Sequence, residues 1–409
     1  MPPDENSRRD SSVLPTRART PSPSGELPSR IVTRAVADAV GVGPLAVPAL
    51  DEVVDPDAFD AVVRSCRWRD GTWPAITFTY ADHDVIVTGT DDVTVVPVDG
   101  TSADERPSER EWTHVSPTEA SRSVELGARL DLAVADETDV DRCRVQEAID
   151  EVIDRWALSR LNRIRPNGIP RTGATVRFSV LGCDVVVSPE GAIATGSTLE
   201  RLQHVGANVL VVGTVPDAIS DRASARLLGT EDGPRERIVG LLDRSTETAL
   251  ERLSLAGGAD QPARVIRRGA VARSSAVADS TASSNAGQSP RPRIETVDGD
   301  IESALSAVET AIDGIDRDAD LRLCLDSLRP LLEDRDAADA RSLLEPICRR
   351  VRERNGVGHY VLPIDRESEE VEALEGLFDA TVELRIDGTE PVQRWHLHAS
   401  DHVTDWFAC

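Results

Sequence analysis

Residues 321–333, LRLCLDSLRPLLE, decide the fold of the C-terminal half of the chain. The apolar positions Leu321, Leu323, Cys324 and Leu325 stop at Asp326-Ser327, and Pro330 then opens a helical pattern. An apolar run that short, ending at an aspartate, suits a buried strand that delivers a carboxylate to the carboxyl edge of a parallel sheet. Ligand sites of open α/β sheets lie at that edge, which makes Asp326 the first candidate site residue.

Outward from this strand, apolar runs and helical patterns alternate. NVLVVG (208–213), RERIVGLLD (235–243), HYVLPID (359–365), LEGLFDATVELR (374–385) and VQRWHLH (392–398) read as strands. Between them lie a helical stretch ending near Leu228, TETALERL (246–253), the series Ile301, Leu305, Val308 and Ile312, and a helix over 337–354. Such alternation predicts an α/β domain with a mostly parallel sheet over residues 199–409. An Ala/Ser/Gly/Arg-rich insertion at 257–293 is expected to be disordered.

The N-terminal half reads differently. Residues 1–28 are rich in Pro, Ser, Arg and charge, and are expected to form a disordered tail. Ser29 is placed to cap a helix carrying Ile31, Val32, Ala35, Val36, Ala39 and Val40, which Gly41 stops. Asp55 caps a second, with Pro56 at its first position and Phe59, Val62 and Val63 inward. Ile76, Phe78 and Tyr80 then alternate, ADHD turns the chain, and Val85 and Val87 return before a third strand at 93–96. This predicts an α+β module over 29–100, helices beside a small antiparallel sheet.

A polar linker over 101–121 separates it from a second small α+β module at 122–198. There Val145, Ile149, Val152, Ile153, Trp156 and Leu161 form a helical stripe, and TVRFSVLGCDVVVSPEGAIAT (175–195) repeats the hairpin pattern of ITFTYADHDVIVTGTDDVTV. The match in length and in the Asp before the returning valines suggests a divergent second copy, with convergent hairpin patterning as the alternative.

Composition narrows the chemistry. Of 409 residues, 46 are Lys or Arg against 72 Asp or Glu, a net charge of −26. Every one of those cations is arginine, so a phosphate-loop lysine, a Schiff-base lysine and a lysine base are all excluded. An acidic, arginine-only surface with few aromatics looks like that of a protein from a salt-loving archaeon. At molar salt the Debye length falls to about 3 Å, which screens such self-repulsion. The six cysteines are scattered without metal-ligand spacing and read as reduced residues of a cytoplasmic protein. No apolar run approaches a membrane span.

SRIVTRAVADAVGV, LDEVVDPDAFDAVVRS and ITFTYADHDVIVTGTDDVTV, in that order, resemble the halobacterial output domain of haloarchaeal signalling proteins. The resemblance implies a signalling output module. Residues 200–409 resemble the RecA/KaiC-like ATPase core, and still more a haloarchaeal family of uncharacterised proteins with the blocks LRLCLDSLRPLL, GVGHYVLPID, LFDATVELR and RWHL. The first likeness implies that Asp326 corresponds to a magnesium-binding aspartate.

A working phosphate loop needs backbone donors, a lysine and a magnesium-binding hydroxyl. After the first strand the chain reads GTVPDAISDRASARLLG: Gly213 remains, Pro216 lacks a donor, and Asp217 and Asp221 place negative charge where phosphate would sit. The domain is therefore expected to be a degenerate, pseudo-ATPase one with no cofactor, and Asp326 to cap the next helix or bond Ser327. On that basis Asp326→Asn is expected to cost about 1 kcal/mol or less. His396 and His398 alternate on one strand, with Asp401, His402 and Asp405 behind them, a pattern that could meet one zinc; exposed, solvated histidines are the plainer reading. Asp365, Arg366 and Arg394 read as surface charges. The expectation is a non-enzymatic regulatory or signal-transduction output protein that acts through protein partners, leaving homo-oligomerisation open. The alternatives are a divergent ATPase using Asp326, and a transcription regulator touching DNA through residues 264–273. The net charge opposes nucleic-acid binding.

Overall fold

Most helical repeats and β-branched runs form the elements they predict; the stripe over 145–161 divides into two helices at Ile153-Asp154, and the strand predicted over 374–385 begins only at Ala380, after a helix that ends at Glu375. The computed structural model describes residues 16–18, 25–66, 68, 74–98, 113–115, 126–204, 206–229, 235–257, 262–269, 292–316, 319–333 and 335–409. These fall into two units, one built mainly from residues up to Thr195 and one from Gly196 to Cys409.

The first unit comprises β1 (Thr16–Ala18), α1 (Pro28–Val40), α2 (Pro56–Ser65), β2 (Ala75–Tyr80), β3 (His83–Val87), β4 (Val93–Pro97), β5 (Thr113–Val115), α3 (Leu126–Thr138), α4 (Arg142–Val152), α5 (Arg155–Leu161), β6 (Thr175–Val180), β7 (Cys183–Val187) and β8 (Ile193–Ser197). Gly41 ends α1 in the left-handed conformation, at φ 76. Ser29 does not cap α1, which starts at Pro28 after Leu27; its N–H and hydroxyl donate to Asp60 of α2 instead, at 2.7 and 3.0 Å. Asp55 caps α2 as expected, accepting from the Ala58 N–H at 3.1 Å.

The strands form one sheet in the order β1-β4-β3-β2-β6-β7-β8-β5. The two expected modules share that sheet through their first strands. β2 pairs antiparallel with β6, Ile76 opposite Val176, and both residues are fully buried. Each half orders its strands as hairpin plus third strand, so the topology of the second repeats that of the first. Three-residue strands fall at 16–18 and 113–115, inside the expected tail and linker; backbone pairing to β4 and β8 forms them without an apolar pattern. Trp156 leaves the predicted stripe and is 65% exposed.

The second unit continues with α6 (Thr198–His204), β9 (Ala207–Val212), α7 (Asp217–Leu227), β10 (Arg235–Leu241), α8 (Thr246–Leu255), β11 (Ala263–Arg268), β12 (Arg293–Val297), α9 (Ile301–Asp313), β13 (Asp320–Asp326), α10 (Arg329–Glu333), α11 (Ala337–Glu353), β14 (Val357–Leu362), α12 (Glu369–Glu375), β15 (Ala380–Asp387), β16 (Glu390–Leu397), β17 (His402–Val403) and β18 (Phe407–Ala408). The sheet runs β12-β11-β10-β13-β14-β9-β15-β16-β17 and is parallel from β12 to β15. β16 joins it antiparallel. β9 and β14 are buried at every position, as the central strands of a doubly covered sheet must be.

Val239, Leu241 and Cys324 pack on one face against Ala225 and Leu228, at the end of α7, and against Ala249 and Leu253 of α8. Leu323, Leu325 and Ile238 pack on the other against α9 and α11. The expected insertion is interrupted: Ala263–Arg268 is a strand between β10 and β12, with Val265 and Ile266 buried. The rest of the expected tail, linker and insertion lies largely outside the described residues. All six cysteines are free; Cys143 is exposed and the others are buried.

The longest helix, α11, is capped by Asp336, which accepts from the Asp339 N–H at 2.9 Å. Asp336→Ala is expected to lower stability by about 1 kcal/mol in denaturant unfolding, since the first-turn donor loses its partner.

Candidate functional site

After β10 the chain runs through α8 on one face to β11 on one side. After β13 it runs through α10 and α11 on the other face to β14 on the other side. The neighbouring carboxyl ends of β10 and β13 are therefore a topological switch point, where open α/β sheets hold ligands. Leu242 N–H donates to the Asp326 carbonyl at 2.9 Å, and the Ser327 N–H and hydroxyl both donate to Asp243, at 3.0 Å each. Asp326 thus neither caps the next helix nor bonds Ser327, because Asp243 holds Ser327 first.

Arginines fill the crevice. The Arg252 Nη2 atom of α8 lies 2.5 Å from Asp326 Oδ2 and 2.6 Å from Asp221 Oδ1, and its side chain is completely buried. Arg244, between β10 and α8, reaches Asp326 at 3.3 Å and Asp217 at 2.8 Å. Five charges form one chain: Asp217, Arg244, Asp326, Arg252, Asp221. Asp217 and Asp221, expected to repel phosphate, are each tied to an arginine. Burial pushes the Asp326 carboxyl up, with Arg252 and then Arg244 opposing it. Arg244 beside Asp217 holds that carboxyl below its usual range.

Little acid–base chemistry is available here. Arginine does not release a proton near neutral pH, so it cannot serve as a base. Burial pushes the Cys324 thiol up to about 11, so it stays protonated and is a poor nucleophile. Gly213 gives its N–H to Ile364 O at 2.8 Å, and a Cβ there would collide with the Leu384 carbonyl oxygen. The backbone donor a phosphate loop would use is committed within the chain, and α7 starts after Pro216 without a side-chain cap.

Among the described residues no group of three or more His, Cys, Asp or Glu side chains could hold a metal ion. His396 Nε2 meets Glu383 at 3.0 Å, while His398 Nε2 meets Glu375 at 2.9 Å and its Nδ1 meets the Phe378 carbonyl at 2.8 Å. The two imidazoles therefore serve separate carboxylates, and the zinc pattern with Asp401, His402 and Asp405 does not assemble. His398 is buried, not solvated. Arg366 pairs with Glu375 at 2.5 Å and Arg394 with Glu383 at 2.7 Å, so these charges are not isolated. Residues 264–268 of the arginine-rich stretch lie in β11, and 270–273 fall outside the described residues.

Residues 24–97 match the family model of Halobacterial output domain 1, and residues 206–384 match that of a family of unknown function, DUF7504. The first is the output module expected from its motifs; the second is an uncharacterised family that carries no RecA or KaiC name. Among solved structures, a protein of Pyrococcus horikoshii OT3 is 14% identical, over 51% of this chain and 96% of its own, at a TM-score of 0.33. That likeness is too slight to speak for the fold. No curated protein matches the chain. No helix among the described residues is long and apolar enough to cross a membrane.

Proposed function

We propose that this protein is a non-enzymatic regulatory or signal-transduction output protein of a halophilic archaeon, working in the cytoplasm through contacts with other proteins. Its C-terminal domain is a RecA/KaiC-like scaffold whose nucleotide site has become structural. The match of residues 24–97 to an output domain supports the regulatory role. The observation that carries the loss of nucleotide binding is the arginine-filled switch point. Asp326, the carboxylate expected at the magnesium position, has its Oδ2 atom 2.5 Å from Arg252 and 3.3 Å from Arg244, so a cation there would meet two neighbouring guanidinium charges. The absence of lysine from the whole chain supports the same reading.

Calorimetric titration of the full chain with Mg-ATP is expected to show no binding. A micromolar dissociation constant that Asp326→Ala abolishes would sink this reading and leave the protein a nucleotide binder.

A further inference from the structure

Between Asp154 and Asp184 the chain holds six arginines (Arg155, Arg160, Arg163, Arg165, Arg171, Arg177) and no acidic residue, within a protein of net charge −26. The interval lies outside both matched stretches. It carries α5 and the loop after it, in the first unit.

This basic island also exposes large apolar side chains. Trp156 is 65% exposed, Ile164 59% and Ile169 50%. Trp156, Arg160 and Arg163 follow one another at helical spacing, with the Arg160 guanidinium 4.4 Å over the indole. A turn in which Arg165 N–H donates to the Ile169 carbonyl at 3.1 Å brings Ile169 back beside Arg165.

Carboxylates of the same unit take up the inner arginines. Arg171 pairs with Asp51 at 2.6 Å, Arg160 with Asp55 at 3.4 Å, and Arg155 with Asp131 at 2.8 Å and Asp150 at 2.6 Å. The outer ones are less satisfied. Arg163 is exposed with no carboxylate partner among the described residues. Arg165 comes only within 3.9 Å of Glu52, and its Nε is buried without a hydrogen bond.

We propose that Trp156, Ile164 and Ile169, flanked by Arg163 and Arg165, form a docking face for an acidic, amphipathic segment of a partner protein. This rests on the reading that the protein works through protein contacts, and names the chemistry of the partner. Exposed tryptophan and arginine are the residue types that dominate interface energy. A second copy fits poorly, because two-fold self-pairing would set Arg163 and its neighbours against their own images. A nucleic acid fits less well: the isoleucine side chains offer no stacking plane, and the one indole already carries the Arg160 guanidinium over its ring.

The test is fluorescence anisotropy on the full chain at fixed salt. The probe is a dye-labelled amphipathic helical peptide with leucine on one face and glutamate on the other. It is expected to bind, its lysine-for-glutamate counterpart is not, and Arg163→Glu and Trp156→Ala should each weaken binding at least tenfold. Both positions are exposed, so circular dichroism should show an unchanged fold. Failure of the glutamate peptide to bind, or equal binding by the variants, overturns the proposal. So does binding of an oligouridylate that Arg163→Glu abolishes, or a dimer in sedimentation that Trp156→Ala dissolves. If the peptide fails while Mg-ATP also fails to bind, only this face is wrong; binding of Mg-ATP would remove the regulatory reading itself.

Discussion

Arg252→Met is expected to destabilise the second unit by about 3–5 kcal/mol, because removing one partner of a buried ion pair leaves uncompensated charge behind. Here two carboxylates are left, Asp326 and Asp221, 2.5 and 2.6 Å from the lost guanidinium. Methionine retains a flexible stem that fills space, so the loss reports charge more than cavity. Burial already holds Asp326 above the ordinary carboxylate range; without Arg252 it should keep its proton to higher pH. The deficit of the variant should therefore shrink as the pH is lowered through that raised value.

Denaturant unfolding at neutral pH measures the loss. A triple variant that adds Asp221→Asn and Asp326→Asn should regain most of it, since a neutral set of similar volume replaces the ions. Asp326→Asn alone, expected from sequence to cost little, is now expected to cost several times more than about 1 kcal/mol, because it strips one of two carboxylates from a buried cation. A change below about 1 kcal/mol in Arg252→Met would mean that the pair is solvated.

Acid should find a second weak point at His359. This imidazole is fully buried on β14, directly across from Cys324 of β13, with no hydrogen bond to either ring nitrogen. Burial, helped by the charges of Arg252 and Arg322, pushes its pKa down from 6.5 to about 3. Above 6.5 the ring is neutral in both folded and unfolded chains and contributes no pH dependence. Below it the unfolded chain takes up a proton that the folded one refuses, and stability falls by about 1.4 kcal/mol per pH unit until the pH nears the folded value. Between pH 7.5 and pH 5 this loss comes to about 2 kcal/mol. His359→Leu should remove that part of the slope while other groups keep theirs. Parallel slopes for the two proteins over this range would show that His359 is protonated or solvated in the folded state.

How far the sequence could be read depended on whether neighbours in space were neighbours in the chain. Strands β9, β13 and β14 are short, mostly apolar runs and announce themselves. β11 does not: its two core residues, Val265 and Ile266, sit in an arginine- and alanine-rich setting, and only pairing with β10 and β12 makes them a strand. β1 and β5 are three residues each, too short for any period.

At the site, Asp326 could be placed at its strand end from the sequence. Its partner Arg244 is 82 positions away and meets it only because β10 lies beside β13. Arg252 does leave a trace in the sequence. It falls in helical phase with Ala249, Leu253 and Ala256, all buried, so the pattern of α8 points its guanidinium into the core. An arginine on an inward helical face demands a buried anion, and in a chain without lysine it is the cation to look for.

The pairing of β2 with β6 bears on how such a module can be moved between proteins. Cut at residue 100, the output-like stretch would end with β2 as a bare edge, its backbone groups open beside the apolar face of Ile76 and Phe78. Exposed edges of that kind recruit other strands. Within this chain the second half closes that edge antiparallel, with Ile76 and Val176 at the centre, which is the geometry a two-fold related copy would offer. The module is thus not a freestanding bead on a string. Any rearranged protein that carries it must also supply a strand for that open side, whether from its own sequence or from a neighbour.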